Sequence, residues 1–172
     1  LRKKHIDLRF NTEVVSVKNI GDSFVVNTRG GEAIEVDLVM YATGRSPNSA
    51  GIGLETAGVE VDESGRIPVD DHYRTNISHI YAIGDVIDRV QLTPVAIAEG
   101  MCIAYNLFDG DDRIVDYDSI PTAVFCQPNI GTVGPTEERA RKLYQNLKVF
   151  ESDFKPMKHT LTGREERTFM KL

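Results

Sequence analysis

Ser78-His79-Ile80-Tyr81-Ala82-Ile83-Gly84-Asp85, followed by Leu92-Thr93-Pro94-Val95-Ala96-Ile97-Ala98, is the stretch on which the reading of the whole chain turns. The apolar run Ile80 to Ile83 has the length of a short strand; Gly84 ends it and Asp85 stands at its carboxyl end. A helix is then expected to open with Thr93 as N-cap and Pro94 as first helical residue, where the missing N–H costs nothing. Val95, Ile97, Ala98, Met101, Cys102, Tyr105 and Phe108 leave that helix apolar over most of its circumference. The pattern predicts a deeply packed helix running to about Phe108, its amino end facing the same crevice as Asp85.

In open α/β sheets, ligands sit beyond the carboxyl ends of strands, and a helix amino end offers unpaired N–H donors and partial positive charge. Asp85 reads as an acceptor for ligand hydroxyls. The plainer alternative is that Asp85 caps a turn and Thr93 a helix.

Ile80-Tyr81-Ala82-Ile83-Gly84-Asp85-Val86 with Gln91-Leu92-Thr93-Pro94-Val95-Ala96-Ile97-Ala98 resembles the second FAD-binding signature of the flavin-dependent pyridine nucleotide–disulfide reductases. The Leu-Thr-Pro-Val-Ala form is most similar to the glutathione-reducing branch. The resemblance implies that Asp85 binds the ribityl chain of FAD and that Thr93 lies against the pyrimidine edge of the flavin.

The chain has 172 residues, net charge −6 and 41% hydrophobic residues, enough for a usable core. An acidic balance without a basic cluster argues against a nucleic-acid partner, and Leu1-Arg2-Lys3-Lys4 reads as a solvated helix end. No apolar run approaches the roughly 20 residues that span a bilayer, and no secretory signal opens the chain. The expectation is no membrane partner and a cytoplasmic location. Cys102 and Cys126 fit neither a redox Cys-x-x-Cys motif nor a zinc ribbon and read as buried, inert thiols. His72 and His79 read as surface residues, and no metal site is expected. The chain opens at Leu1 without methionine and closes on the alternating Phe169-Met170-Lys171-Leu172, so it reads as a piece of a longer protein.

From Ile6 to Ala42 the pattern is alternating and β-rich, with turns at Gly21-Asp22 and Arg29-Gly30-Gly31. It predicts an antiparallel meander leading into a continuous apolar strand, Leu38 to Ala42. Thr43-Gly44-Arg45-Ser46-Pro47-Asn48 follows, a loop on local grounds. Ala42 to Asn48 is also similar to the Ala-x-Gly-Arg-x-Pro-Asn signature by which the family passes from its NADPH domain back to its FAD domain. That resemblance implies that Gly44 lies beside NADPH and Arg45 near the cofactors. Leu54 to Val61 and Arg66 to Val69 read as a turn and short strands around Ser64-Gly65.

Asp109-Gly110-Asp111-Asp112-Arg113 is a charged linker and the clearest boundary. Beyond it, strands are expected at Ile120 to Phe125 and Ile130 to Gly134, then a helix capped by Thr136 with acidic residues first and basic residues last. Pro121 to Phe125, Ile130 to Gly134 and Phe154-Lys155-Pro156-Met157 resemble, in order, the opening of the family's interface domain. The resemblance implies backbone at Gln91 and Ala123 near NADPH.

The expected fold class is α/β, α+β in places: a partial FAD/NAD(P)-binding fold with a β-meander, then the start of an α+β dimerisation domain. The divisions are 1–45, the end of an NADPH-binding domain; 46–113, the later part of an FAD-binding domain; and 114–172, the start of an interface domain. The implied parent passes electrons from NADPH through FAD and a redox-active disulfide to a disulfide substrate such as oxidised glutathione, as a homodimer. No catalytic residue of the family falls in these residues, and Lys158-His159-Thr160 lacks the family's His-Pro-Thr motif. Ala98-Glu99-Gly100-Met101 carries methionine where the glutathione branch often has an arginine for a substrate carboxylate, and methionine makes no charge-assisted bond. The alternatives are the trypanothione-reducing branch, less favourably the dihydrolipoamide-oxidising branch, and a truncated binding module without catalysis.

Overall fold

The computed structural model describes residues 5–172, so the helix end expected at Leu1-Arg2-Lys3-Lys4 lies outside the described residues. The chain divides into two compact units, Leu1–Val115 with Phe125–Asn129, and Asp116–Val124 with Ile130–Leu172.

The first unit opens with the expected meander: β1 (Val14–Asn19), β2 (Phe24–Thr28) and β3 (Ala33–Val36) form one antiparallel sheet in that order. Val17 pairs with Val26 and Val26 with Ile34, so one apolar row crosses the three strands. The reversals fall at the glycines that take positive φ, Gly21 and Gly31. Ile6, Leu8 and Phe10 do not extend the sheet; they lie in turn and irregular backbone ahead of β1. The strand expected over Leu38 to Ala42 is also not formed, and Leu38, Met40 and Tyr41 are exposed. A strand needs a ladder partner as well as an apolar run, and among the described residues this one has none.

Between Gly53 and Gly58, both left-handed, the chain makes one helical turn, α1 (Leu54–Ala57), where a turn and short strands were expected. The turn at Ser64-Gly65 is formed around Asp62, whose Oδ1 accepts from the Ser64 N–H, the Ser64 hydroxyl and the Arg66 N–H. Val59, Ile67, Tyr73, Ala82, Ile87, Val95 and Cys102 form the core of this unit.

Ile80 to Ile83 is extended but is not a full strand. It forms a single antiparallel bridge, Arg74 with Tyr81, flanked by Thr75 N–H to Ile80 O and Ala82 N–H to Tyr73 O, each 3.0 Å. Gly84–Ile87 follows as a 3-10 helix. The long helix α2 is Thr93–Phe108; Leu92 is its N-cap, Thr93 and Pro94 are its first two residues, and no side chain caps it. Thr93 is therefore not the N-cap, because helical backbone already begins at Thr93 itself. Nor is α2 deeply packed: Val95, Glu99 and Cys102 form one buried stripe at helical spacing, while Ile97, Met101, Leu107 and Phe108 are exposed. An apolar circumference states what a helix is able to bury, and its neighbours decide how much of it is covered.

In the second unit β4 (Thr122–Val124) pairs antiparallel with β5 (Ile130–Thr132), and β6 (Glu151–Phe154) with β7 (Thr168–Lys171). α3 (Glu137–Leu143) is capped as expected: the Thr136 hydroxyl accepts from the Arg139 N–H at 3.2 Å. A further short helix, α4 (Lys158–Thr162), buries His159. The mixture of helices and strands is the expected α/β class.

Candidate cofactor site

The site is built where Ile83 and Gly84 cross α2. Gly84 has φ +71, and its N–H donates to Glu99 Oε2 at 2.6 Å. A Cβ on Gly84 would stand 3.1 Å from the Ala96 Cβ, and one on Gly100 would stand 3.3 Å from Ile83 Cδ1. Ala96, Glu99 and Gly100 share one face of the helix, so small side chains let the turn approach and Glu99 fastens it. The Asp88 N–H donates to Asp85 O at 3.2 Å to close the 3-10 turn, and the Ile67 N–H donates to Val86 O at 3.0 Å to tie it to the preceding segment.

This turn presents Asp85 at its outer edge. The carboxylate is half exposed and faces Arg45, with Nη1 3.4 Å from Oδ2. A carboxylate has about four acceptor sites, and one long guanidinium contact leaves capacity for hydroxyl donors. That is the chemistry a ribityl chain needs, so Asp85 fits the group. Gly44 has φ +121, a conformation that sets the chain direction immediately before Arg45 and strains any other residue. Gln91 Nε2 donates to Asp88 Oδ1 at 2.8 Å, which holds the Gln91 side chain back toward the turn. Thr93 is exposed at the start of α2.

The amino end of α2 offers less than its sequence suggests. Val95 and Ala96 N–H groups both bond Leu92 O, and Pro94 has no N–H. What remains of the end's donor capacity is at Thr93. Of the residues singled out in the sequence, the fold brings Arg45 to Asp85 and places Gln91 and Thr93 on the connection that follows. Ala123 lies in β4, opposite Gly131, in the second unit. Sequence reasoning missed the role of Glu99: a glutamate inside a helical pattern reads as a solvated charge, and its partner is a backbone N–H that leaves no trace in residue type.

The cysteines differ from each other. Cys102 is buried, and burial pushes its thiol up, which keeps it protonated. Cys126 is only partly buried, against expectation, and its thiol donates to Pro128 O at 3.0 Å. Among the described residues, no helix is long and apolar enough to cross a membrane and no group of three His, Cys, Asp or Glu could hold a metal ion.

Residues 1–100 match the pyridine nucleotide-disulphide oxidoreductase family, and residues 120–172 match the dimerisation domain of that family. The chain is 45% identical over 172 residues to a glutathione reductase from Burkholderia cepacia, covering 100% of this chain and 38% of that protein. It is 39% identical over 166 residues to a trypanothione reductase from Trypanosoma congolense, covering 96% of this chain and 34% of that protein. Among solved structures it is similar to the HOCl-induced flavoprotein disulfide reductase RclA from Escherichia coli, with a TM-score of 0.87, 26% identity, and coverage of 99% of this chain and 39% of that one. The chain thus spans somewhat over a third of the length of these relatives. With more than half of its residues matched by one family pattern and the remainder largely by that family's second domain, the chain belongs to the pyridine nucleotide-disulphide oxidoreductases.

Proposed function

We propose that these residues are part of an NADPH-dependent flavoprotein disulfide reductase of the glutathione-reducing kind. The observation that carries the reading is the half-exposed Asp85, held at the outer edge of a turn that is pinned to α2 and followed by Thr93 at the helix start. The identity of 45% over the whole chain to a glutathione reductase supports the same assignment. In this reading 1–45 end an NADPH-binding domain, 46–113 complete an FAD-binding domain, and 114–172 begin the interface of a homodimer. The proposed compartment is the cytoplasm.

The roles are those that the family resemblance implies, and the half-exposed carboxylate of Asp85 beside Arg45 supports the first of them. Asp85 accepts hydrogen bonds from the ribityl hydroxyls of FAD, and Arg45 offsets its charge. Thr93 lies at the pyrimidine edge of the flavin, where its N–H and hydroxyl are the donors left at the helix start. Gly44, Gln91 and Ala123 contribute backbone along NADPH. When bound, FAD carries electrons from NADPH to a redox-active disulfide, whose thiols then reduce oxidised glutathione by exchange. The residues here bind and orient the cofactors and contribute no group to the exchange step.

A second reading within the family, reduction of trypanothione disulfide, is favoured by Met101, which offers no cation to a substrate carboxylate and stands half exposed on α2. The test is the visible absorption spectrum and intact mass of the purified full-length protein, followed by NADPH-dependent turnover on oxidised glutathione and on trypanothione disulfide. Flavin bands with turnover on glutathione support the proposal. Turnover on trypanothione alone selects the second reading, and a colourless protein without turnover means a binding module.

A further inference from the structure

We propose that Glu99 is the positioning residue of the flavin site: it acts through the Gly84 N–H to fix the direction in which Asp85 presents its carboxylate. This rests on the reading of Asp85 as the ribityl acceptor. Glu99 is fully buried, and a carboxyl group is costly to bury without hydrogen-bond partners. Its Oε2 takes the Gly84 N–H at 2.6 Å, a short bond. That donor belongs to the residue immediately before Asp85. A helical side chain leans toward the amino end of its helix, so Glu99 reaches back along α2 to the turn.

Three observations point to a device for orientation beyond filling space. Gly84 holds φ +71, so the peptide entering Asp85 runs in a direction that few residues adopt unaided. Ala96 and Gly100 flank Glu99 on the same face, and both are small where the turn touches: a Cβ on Gly84 would stand 3.1 Å from the Ala96 Cβ. An apolar residue at 99 would fill the same volume but leave the Gly84 donor buried without its acceptor. Asp85, by contrast, is half exposed and has one long ion pair at 3.4 Å, so its own side chain does little to fix its place. The orientation of the ligand-facing carboxylate is set from the buried side.

The test is a double-mutant cycle on FAD affinity in the full-length protein, using Glu99→Leu, Glu99→Gln and Asp85→Asn, with the apoprotein melting temperature recorded for each. Loss of the buried acceptor in Glu99→Leu is expected to raise the Kd for FAD about tenfold or more in the wild-type background. In the Asp85→Asn background the same change should cost no more than about twofold, because coupled residues are not additive. Glu99→Gln keeps an acceptor oxygen and should lie nearer wild type than Glu99→Leu. Equal losses from Glu99→Leu in the two backgrounds, or unchanged affinity in the wild-type background, overturn the inference alone. A wild-type protein that binds no FAD overturns the flavin-site reading and the inference with it. Amide hydrogen exchange at Gly84 needs no variant: slow exchange is expected in the wild type, and free exchange overturns the inference even where Glu99→Leu does not fold.

Discussion

Arg45 Nη1 lies 3.4 Å from Asp85 Oδ2, and this pair joins the two signature loops of the chain across forty positions of sequence. The side chains are 75% and 50% exposed, so solvent screens the pair. Arg45→Ala should therefore change the unfolding free energy by no more than about 0.5 kcal/mol, measured by urea denaturation of the apoprotein. A loss several times larger would mean that the guanidinium supports the fold and is more than a surface counter-charge.

Gly84→Ala meets two obstacles at once. The backbone is left-handed, and the new methyl would press on Ala96. Gly110 offers a matched control, since it has φ +72 and open space around it. Gly110→Ala should cost about 1 kcal/mol from backbone strain alone, and Gly84→Ala about 1–3 kcal/mol more, because a tightly packed site cannot yield. Denaturant unfolding of both variants reads the difference, which isolates the contact between the turn and α2. Equal costs would show that α2 moves aside freely.

The features legible in the sequence were those that depend on local chemistry. The meander was readable from alternation and from glycines at its turns, and the Thr136 cap from a hydroxyl ahead of two glutamates. Leu38 to Ala42 and Ile80 to Ile83 carry the composition of strands, but a strand is completed by a partner, and alternation does not name one. The burial of α2 failed for the same reason: Ile97 and Phe108 are as apolar as Val95, yet of the three only Val95 is buried. At the site, Asp85 stood out because a carboxylate after glycine at a strand end has a recognisable use. Glu99 did not, because the group it serves is a main-chain N–H fifteen positions earlier.

Asp62 gives a pH dependence with a defined sign. Hydrogen bonds from the Ser64 hydroxyl, then from the Arg66 and Ser64 N–H groups and the Arg66 guanidinium, hold its carboxyl down at about 2 from the ordinary 3.8. The ionised form is favoured in the folded state. Its stabilising effect is therefore complete above the unfolded value of about 4 and is lost as pH falls toward the folded value. The group is only partly covered and solvent screens it, so the effect is small, and carbon-detected titration of the Asp62 carboxyl is the suitable measurement. A midpoint near 4 would show that the turn does not persist in solution.

Tyr73 is fully buried, and its hydroxyl accepts from the Val115 N–H at 3.2 Å, forty-two positions away, at the end of the linker. Tyr73→Phe keeps the ring and removes that acceptor. It should destabilise the chain by about 1 kcal/mol and speed amide exchange at Val115. Unchanged exchange at Val115 would mean that the linker is held by its other bonds, such as those between Asn106 and the backbone of Arg113.

Thr136 carries more of α3 than its single bond suggests. The helix has 7 residues, too few to be stable from propensity alone. Its ion pairs, Arg141 with the partly exposed Glu137 and Lys142 with the exposed Glu138, are open to solvent and add little. Lys171 in β7 also pairs with Glu137, so the position of the first turn matters to the hairpin formed by β6 and β7. Removing the hydroxyl leaves the Arg139 N–H without its cap, and Thr136→Ala should cost about 1 kcal/mol in denaturant unfolding. Thr136→Ser retains the acceptor and should stay within about 0.5 kcal/mol of wild type. If the two variants lose stability equally, the methyl group and not the cap is what Thr136 contributes.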